Sequence, residues 1–226
     1  MPTPIPTRLD EPGLLRAVAV VATVDPKLGG IVERHGPPPL WARDPSFPTL
    51  VRIILEQQVS LTSAEAALGR LERAAGAVTP VAVVTLGEPG MAAAGLTRQK
   101  SRYLAELATR IADGRLDLAR VAALPDDAAR SELMALPGIG RWTADIYLLM
   151  ALGRPDIWPI GDIALASASQ AAHGLPVRPT QEELALRAEG WRPWRAVAAR
   201  ILWHGYLSGE RPARTFTARP AAVSTA

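Results

Sequence analysis

The sequence predicts an all-α protein, and three observations support this prediction. Apolar residues recur at helical spacing along most of the 226 residues, and no segment shows the strict alternation of a half-buried strand. Capping residues precede several of these apolar runs, and glycine or proline marks where many of them end. Hydrophobic residues make up 48% of the chain and charged residues 21%, which is typical of a globular protein with a sizeable core.

Turn residues divide the chain into successive helices. The first runs from Pro12 to about Val24 and is closed by Asp25-Pro26, because proline lacks the N–H that a helix interior needs. A loop rich in glycine and proline is expected over 29–48. Thr62-Ser63-Ala64-Glu65 has the form of a capping box that opens a helix ended by Gly76. Further helices are expected over 48–57, 80–85, 97–113, 126–134, 141–152 and 162–172, from Thr180-Gln181-Glu182-Glu183 onward, and over 193–207.

The segment Leu136-Pro137-Gly138-Ile139-Gly140 connects two of these helices through a tight turn. Its proline ends the first helix, and its two glycines can adopt backbone angles that other residues rarely adopt. An amphipathic run begins at Arg141, and the free N–H groups at the start of a helix attract an anion such as a phosphate. A hairpin of this kind holds a nucleic-acid backbone without reading the base sequence.

The charge and the cysteine content of the chain limit the binding partners and the kinds of metal site that it can have. A net charge of +3 and a pI of about 9.8 permit binding to a polyanion without requiring it. The chain has no cysteine, which excludes disulfides, zinc–thiolate sites and cysteine-ligated iron–sulfur clusters. The three histidines are scattered and indicate no metal site. The apolar run over 14–24 is short and contains Arg16, so we expect neither a signal peptide nor a membrane span, but a cytoplasmic protein.

Four segments in this order resemble the helix-hairpin-helix–Gly/Pro–Asp superfamily of DNA glycosylases, and they cover roughly residues 47–207. The hairpin contains Trp142, and this version of the hairpin resembles the 3-methyladenine DNA glycosylase II (AlkA-like) branch. The segments are Ile54-Leu55-Glu56-Gln57-Gln58-Val59-Ser60, the hairpin through Ala144, Asp162, and Trp191-Arg192-Pro193-Trp194-Arg195 followed by Leu202-Trp203-His204.

The resemblance implies two helical lobes with the active site in the cleft between them. The middle of the chain, about 48–135, forms one lobe, and the N-terminal helix together with about 136–208 forms the other. Larger relatives carry a β-rich domain before this core, and we expect it to be absent here because only some 45 residues precede Phe47. Residues 209–226 are rich in proline, alanine, threonine and arginine and are expected to be disordered.

Asp162 follows Trp142 by twenty residues, which matches the family's spacing between the hairpin and the catalytic aspartate. The local sequence also makes it an N-cap, and the two roles are compatible because helix N–H groups hold a carboxylate in place and ionised. A fixed carboxylate stabilises the positive charge that develops on the sugar when an N-glycosidic bond breaks. The competing carboxylates are Asp145, Asp156 and Glu56. Asp145 fits a residue on a helix face, Asp156 fits a loop residue, and Glu56 fits a partner for an arginine.

Trp142 occupies the position where lyase-competent relatives have a lysine. Neither Lys27 nor Lys100 lies near the hairpin in sequence, so we expect a monofunctional glycosylase. An indole instead offers an electron-rich face to an extruded base, and a cation over such a face gains about 0.5–2 kcal/mol. A role in the core is the alternative for Trp142, and also for Trp203, where the resemblance implies a second pocket indole.

Two more positions follow from the resemblance. Ile146 stands where larger relatives have tyrosine in the pocket, which implies a more open or less selective pocket. Gln58 corresponds to the wedge that fills the gap left by a flipped nucleotide, and the alternative is an ordinary polar residue at a helix end.

The hairpin itself supplies the expected backbone contacts. The N–H groups of Gly138 and Gly140, together with Thr143, would hold a DNA phosphate. Family members bind a Na⁺ or K⁺ ion at this place, in a structural role, and no other cofactor is expected. The carbonyl groups offered for that ion are those of Met134, Leu136 and Ile139.

The sequence therefore predicts a monomeric DNA-3-methyladenine glycosylase II without lyase activity, acting at the nucleoid. It would flip an alkylated base, such as 3-methyladenine or 7-methylguanine, out of duplex DNA and hydrolyse its glycosidic bond, leaving an abasic site. One alternative is a non-catalytic hairpin module that binds damaged duplex, with Asp162 serving only as a cap. A second is a glycosylase for oxidised or mismatched bases, against which the missing lysine and cysteines count.

Overall fold

The computed structural model describes residues 6–212, and in this part of the chain it contains helices and no strand. The predicted all-α class is confirmed. Most of the predicted C-terminal tail, residues 213–226, lies outside the described residues. The helices are α1 (Glu11–Val24), α2 (Pro26–His35), α3 (Phe47–Glu56), α4 (Leu61–Ala75), α5 (Pro80–Ala93), α6 (Arg98–Ala112), α7 (Leu118–Ala123), α8 (Asp126–Met134), α9 (Arg141–Ile146), a π-helical turn (Tyr147–Ala151), α10 (Ile163–His173), α11 (Gln181–Glu189) and α12 (Arg195–Leu207).

The helices pack in two groups around one continuous apolar core. In the first group, α3 contacts α4, α6 and α9, α5 packs along α6, and α8 packs against α9. In the second group, α12 lies against α1, α2, α10 and α11. The hairpin therefore packs with the middle of the chain, and the connection over 152–162 leads from the first group to α10 in the second.

Helix α2 lies where the sequence predicts a loop, so that prediction is wrong for residues 29–35. Asp25 caps the helix by accepting the N–H groups of Lys27 and Leu28 at 3.0 and 3.4 Å. Gly29 is a packing residue here, because a Cβ atom at this position would come within 3.0 Å of the Ala22 carbonyl oxygen on α1. Leu28 and Ile31 are buried in the resulting contact.

Two helix boundaries differ from the sequence prediction, and one further helix is present. Helix α4 begins one residue before the proposed capping box, because Ser60 is the N-cap and accepts the N–H of Ser63 at 3.2 Å. Helix α5 continues to Ala93 through a kink at Gly87, whose φ is +66°. Helix α7 was not predicted, and the Asp117 carboxylate caps it. By contrast, the Thr180 side chain and Glu183 form a complete capping box at the predicted start of α11.

None of the helices within 6–212 is both long and apolar enough to cross a bilayer.

Candidate active site

Asp162 is the N-cap of α10 and stands where the two groups of helices meet. Its Oδ1 atom accepts the backbone N–H of Leu165 at 2.8 Å, which fixes the carboxylate at the helix terminus. The side chain is almost buried, with 9% of the residue exposed. Gly161, in front of it, has a φ of +93°, so the chain turns sharply before the carboxylate and delivers it to the start of the helix.

Two indoles donate hydrogen bonds to the same carboxylate. Trp142, the second residue of α9, donates its Nε1–H to Asp162 Oδ2 at 2.9 Å. Trp203, on α12, donates its Nε1–H to Oδ1 at 3.4 Å. The structure thus brings both predicted pocket indoles to Asp162. Trp142 comes from the first group and Trp203 from the second.

The competing carboxylates are neutralised by arginines. Asp145 is fully buried and accepts from Arg130 at 2.6 Å and Arg141 at 2.8 Å, and Glu56 forms a two-bond pair with Arg43. Asp156 likewise pairs with Arg192 and Arg195. Within residues 6–212, no arginine or lysine forms an ion pair with Asp162. Its negative charge is therefore held by N–H dipoles and remains available to a developing positive charge.

The hairpin turn is built around Gly138. Its φ of +83° belongs to the left-handed region, and a Cβ atom there would lie 2.2 Å from the Tyr103 ring. Gly140 is the N-cap of α9, is exposed and has no side chain to satisfy the first-turn N–H groups of that helix. Thr143 is buried, and its hydroxyl accepts a hydrogen bond from Gln57 Nε2 at 2.8 Å. A phosphate contact at Thr143 would thus use its backbone N–H.

The short loop between α3 and α4 carries Gln58, which is exposed and has a φ of +58°. Such an angle is uncommon for a residue other than glycine and marks a backbone held in place by its surroundings. Gln57 ties this loop to the hairpin, since its Nε2 donates to the Gly138 carbonyl as well as to Thr143, each at 2.8 Å. Lys100 on α6 also contacts this loop, since its Nζ donates to the Leu55 and Gln57 carbonyls.

Several residues around the site were not identified from the sequence. Gln57 and Lys100 carry no local signal for their contacts, which join segments more than forty residues apart. Trp41 lies with its ring centroid 6.5 Å from that of Trp203, and only the long-range packing brings these two rings together. Ile146, predicted to line the pocket, is 3% exposed and packs in the core one turn beyond Trp142.

The chain is similar to known DNA repair proteins. The family model described as HhH-GPD superfamily base excision DNA repair protein matches residues 51–193. A probable bifunctional transcriptional activator/DNA repair enzyme AlkA of Mycobacterium tuberculosis is 36% identical over 165 residues, covering 68% of this chain and 32% of that protein. A putative DNA-3-methyladenine glycosylase of Bacillus subtilis is 26% identical over 184 residues, covering 78% of this chain and 64% of that protein.

A solved structure gives the same result. The 3-methyladenine DNA glycosylase of Schizosaccharomyces pombe, in complex with abasic DNA, matches with a TM-score of 0.76 and 25% identity, over 83% of this chain and 95% of that one. The chain spans about a third of the length of the mycobacterial relative and just under two thirds of that of the Bacillus one. The family model covers more than half of the present chain. The chain therefore belongs to the HhH-GPD superfamily of base excision DNA repair proteins, and its similarity is to the AlkA-like branch.

Proposed function

We propose that this protein is a monofunctional DNA glycosylase that releases alkylated bases, such as 3-methyladenine and 7-methylguanine, from duplex DNA. The observation that carries the proposal is the state of Asp162, a nearly buried carboxylate held by two indole N–H groups and a helix N–H, without a cationic partner among the described residues. The relatives named as 3-methyladenine glycosylases support the same substrate class.

In the bond-breaking step, the main contribution of the protein is the Asp162 carboxylate. Breaking an N-glycosidic bond leaves positive, oxocarbenium-like charge on the sugar, which a fixed negative group stabilises directly or while it orients a water molecule. The water oxygen bonds to the anomeric carbon and gives up a proton to the Asp162 carboxylate or to solvent, the base leaves with the electron pair of the broken bond, and an abasic site remains. A base such as 7-methylguanine already carries a positive charge, so it leaves as a neutral molecule without being protonated by the enzyme.

The absence of lyase chemistry is part of the proposal. A Schiff base with the sugar requires a free amine at the site. Trp142 stands at the hairpin position where such a lysine would be, and the Lys100 ammonium is engaged with two backbone carbonyls. Lys27 is exposed at the start of α2.

The hairpin is the proposed phosphate site, through the N–H groups around Gly138, Gly140 and Thr143. A Na⁺ or K⁺ ion would be held beside it by the carbonyl groups of Met134, Leu136 and Ile139. The Leu136 carbonyl already accepts the Ile139 N–H at 3.1 Å and keeps a second lone pair for a cation. Such an ion would add positive charge near a DNA phosphate and take no part in bond breaking. We further propose that the protein acts as a monomer on chromosomal duplex DNA in the cytoplasm, with Gln58 as the wedge.

The test is base release from methylated duplex DNA, with the freed bases separated by chromatography. Wild-type protein should release methylpurines, and Asp162→Asn should release them at least a hundredfold more slowly, about the effect of losing one preorganised electrostatic group. Asparagine also caps helices well, so the variant should remain folded. Asp156→Asn is the matched control, because it removes an aspartate paired with arginines and should retain turnover.

The other outcomes favour the alternatives. DNA binding without base release by the wild type would indicate the non-catalytic module and return Asp162 to the role of a cap. Near-normal turnover by Asp162→Asn would contradict the assignment of the catalytic carboxylate.

A further inference from the structure

Trp41, in the segment between α2 and α3, packs beside Trp203, one of the two indoles that donate to Asp162. The planes of the Trp41 and Trp203 rings meet at 69°, with their centroids 6.5 Å apart. Trp203 in turn donates to Asp162. Trp41 and Trp203 thus form an aromatic corner. Trp203 is the ring of this corner that contacts the Asp162 carboxylate. Trp41 is half-buried.

The backbone holds Trp41 in an unusual conformation. Its φ is +49°, in the left-handed region, which is a strained angle for a bulky side chain and persists only where the surroundings enforce it. The neighbouring backbone is fastened on both sides. The Leu40 carbonyl accepts from Arg200 Nε at 2.9 Å, and the Arg43 N–H donates to the Met150 carbonyl at 2.9 Å.

Arg200, which donates to the Leu40 carbonyl, is a buried charged residue, and its burial indicates how strongly this segment is fixed. Its guanidinium is fully buried and donates to the carbonyls of Leu40, Leu149 and Ala196, without a carboxylate partner in the described part of the chain. Burial lowers the pKa of Arg200 to about 10. A buried guanidinium satisfied only by carbonyl groups is costly to desolvate, yet here it holds the backbone immediately before Trp41.

The second predicted pocket position of α9, Ile146, does not supply an aromatic surface for the base. The Ile146 side chain is buried in the core, so among the predicted pocket positions of α9 only Trp142 presents an aromatic ring beside Asp162. Extruded bases are held by stacking on aromatic groups, and Trp41 adds a further flat surface next to Trp203, which together with Trp142 lies at the carboxylate.

We propose that Trp41 is a base-contacting, specificity-determining residue, and that its corner with Trp203 receives the flipped purine and favours cationic alkylated purines. This inference rests on the proposed glycosylase function. An electron-rich indole attracts a positively charged purine more than a neutral one, so the loss of the Trp41 ring should be felt mainly by charged lesions.

The experiment compares the binding of two duplexes by wild type, Trp41→Leu and Trp41→Phe. One duplex carries 7-methylguanine on a 2′-fluorinated sugar, whose glycosidic bond resists hydrolysis because fluorine disfavours positive charge on the sugar. The other carries a tetrahydrofuran abasic analogue at the same place and so has no base to stack. Trp41→Leu should lose about tenfold in affinity for the first duplex, and less than twofold for the second. Trp41→Phe keeps an aromatic ring and should lose only two- to threefold on the first.

Trp194→Leu is the matched control, since Trp194 is also a half-buried indole but is the N-cap of α12, about 13 Å along the helix axis from Trp203. It should leave the ratio of the two affinities unchanged. Equal losses by Trp41→Leu on both duplexes, or no loss on either, would overturn the proposal, and Trp41→Phe supplies the same comparison if Trp41→Leu does not fold. Failure of the proposed function is separate, because the wild type itself would then release no methylpurine from the unfluorinated duplex.

Discussion

At the scale of single residues, the two indoles that donate to Asp162 contact different carboxylate oxygens, at different distances. Oδ1 accepts from Leu165 N–H at 2.8 Å and from Trp203 at 3.4 Å, so both of its lone pairs are engaged. Among the described residues, Oδ2 accepts from Trp142 alone, which leaves it one lone pair. Oδ2 is therefore the oxygen that can face the sugar or a water molecule, and Trp142 sets its direction.

This asymmetry predicts a ranking of two conservative variants. Trp142→Phe keeps an aromatic ring but removes the 2.9 Å donor, and kcat should fall about tenfold, equivalent to one hydrogen bond of ~1.4 kcal/mol to a charged group. Trp203→Phe removes the longer bond at 3.4 Å and should lower kcat by less. Single-turnover base release measures both. A larger loss in Trp203→Phe would show that Oδ1 is the oxygen that acts.

Single residues also show how far the sequence could predict the site. Asp162 was identified because its cap position and its spacing from Trp142 are both readable along the chain. Trp41 was not, because its partner Trp203 is far away in sequence and nothing local predicts a positive φ at a tryptophan. The role of Gln57, next to Gln58, is likewise not predictable from the sequence, since only the folded chain brings its amide to the hairpin.

At the scale of elements, the loop between α3 and α4 and the hairpin form one unit. The Lys100 ammonium donates to the carbonyls of Leu55 and Gln57 at 2.7 and 3.0 Å, at the C-terminal end of α3 where helix carbonyls lack partners. Lys100 is half-buried, and this burial lowers the pKa of its ammonium below the ordinary value. Gln57 then connects the same loop to Gly138. A change at α6 should therefore reach the proposed wedge, Gln58.

Lys100→Met tests this coupling. It removes both carbonyl contacts, so it should lower the free energy of unfolding by about 1–2 kcal/mol and lower kcat/KM for base release severalfold. Lys27→Met is the matched control, because Lys27 is the other lysine of the chain and is exposed at the start of α2. Both variants lose one positive charge. Equal effects on kcat/KM would mean that Lys100 acts through net charge on DNA binding rather than through the loop.

At the scale of the whole molecule, Asp25 connects the N-terminal helices to the C-terminal ones. Besides capping α2, its Oδ2 accepts from Trp191 Nε1 at 3.0 Å and contacts His173 Nε2 at 3.1 Å. His173 is the last residue of α10, the helix that begins after Asp162. The sequence predicted only that Asp25 ends α1, because these partners are nearly 150 residues or more away. The N-cap of α2 is therefore held by contacts that the local sequence does not show.

Asp25 also makes the stability of the second group of helices depend on pH. Burial alone would raise the pKa of Asp25, but hydrogen bonds from His173, Trp191 and the Leu28 N–H together lower it below the ordinary value of 3.8. A carboxylate with a lowered pKa binds fewer protons in the folded state than in the unfolded state. Its contribution is therefore complete above 3.8 and is lost as the pH falls through the lowered value.

Asp25→Asn should consequently destabilise the protein by about 1–2 kcal/mol near neutral pH, with a smaller difference from wild type at about pH 3. Urea unfolding at both pH values measures the difference. Asp10→Asn is the matched control, since Asp10 caps α1 through the Gly13 N–H at 2.7 Å and is exposed. Asparagine preserves both caps, so Asp10→Asn should cost little and any larger loss in Asp25→Asn reports the contacts with His173 and Trp191. A loss that is the same at both pH values would mean that these contacts do not depend on the charge of Asp25.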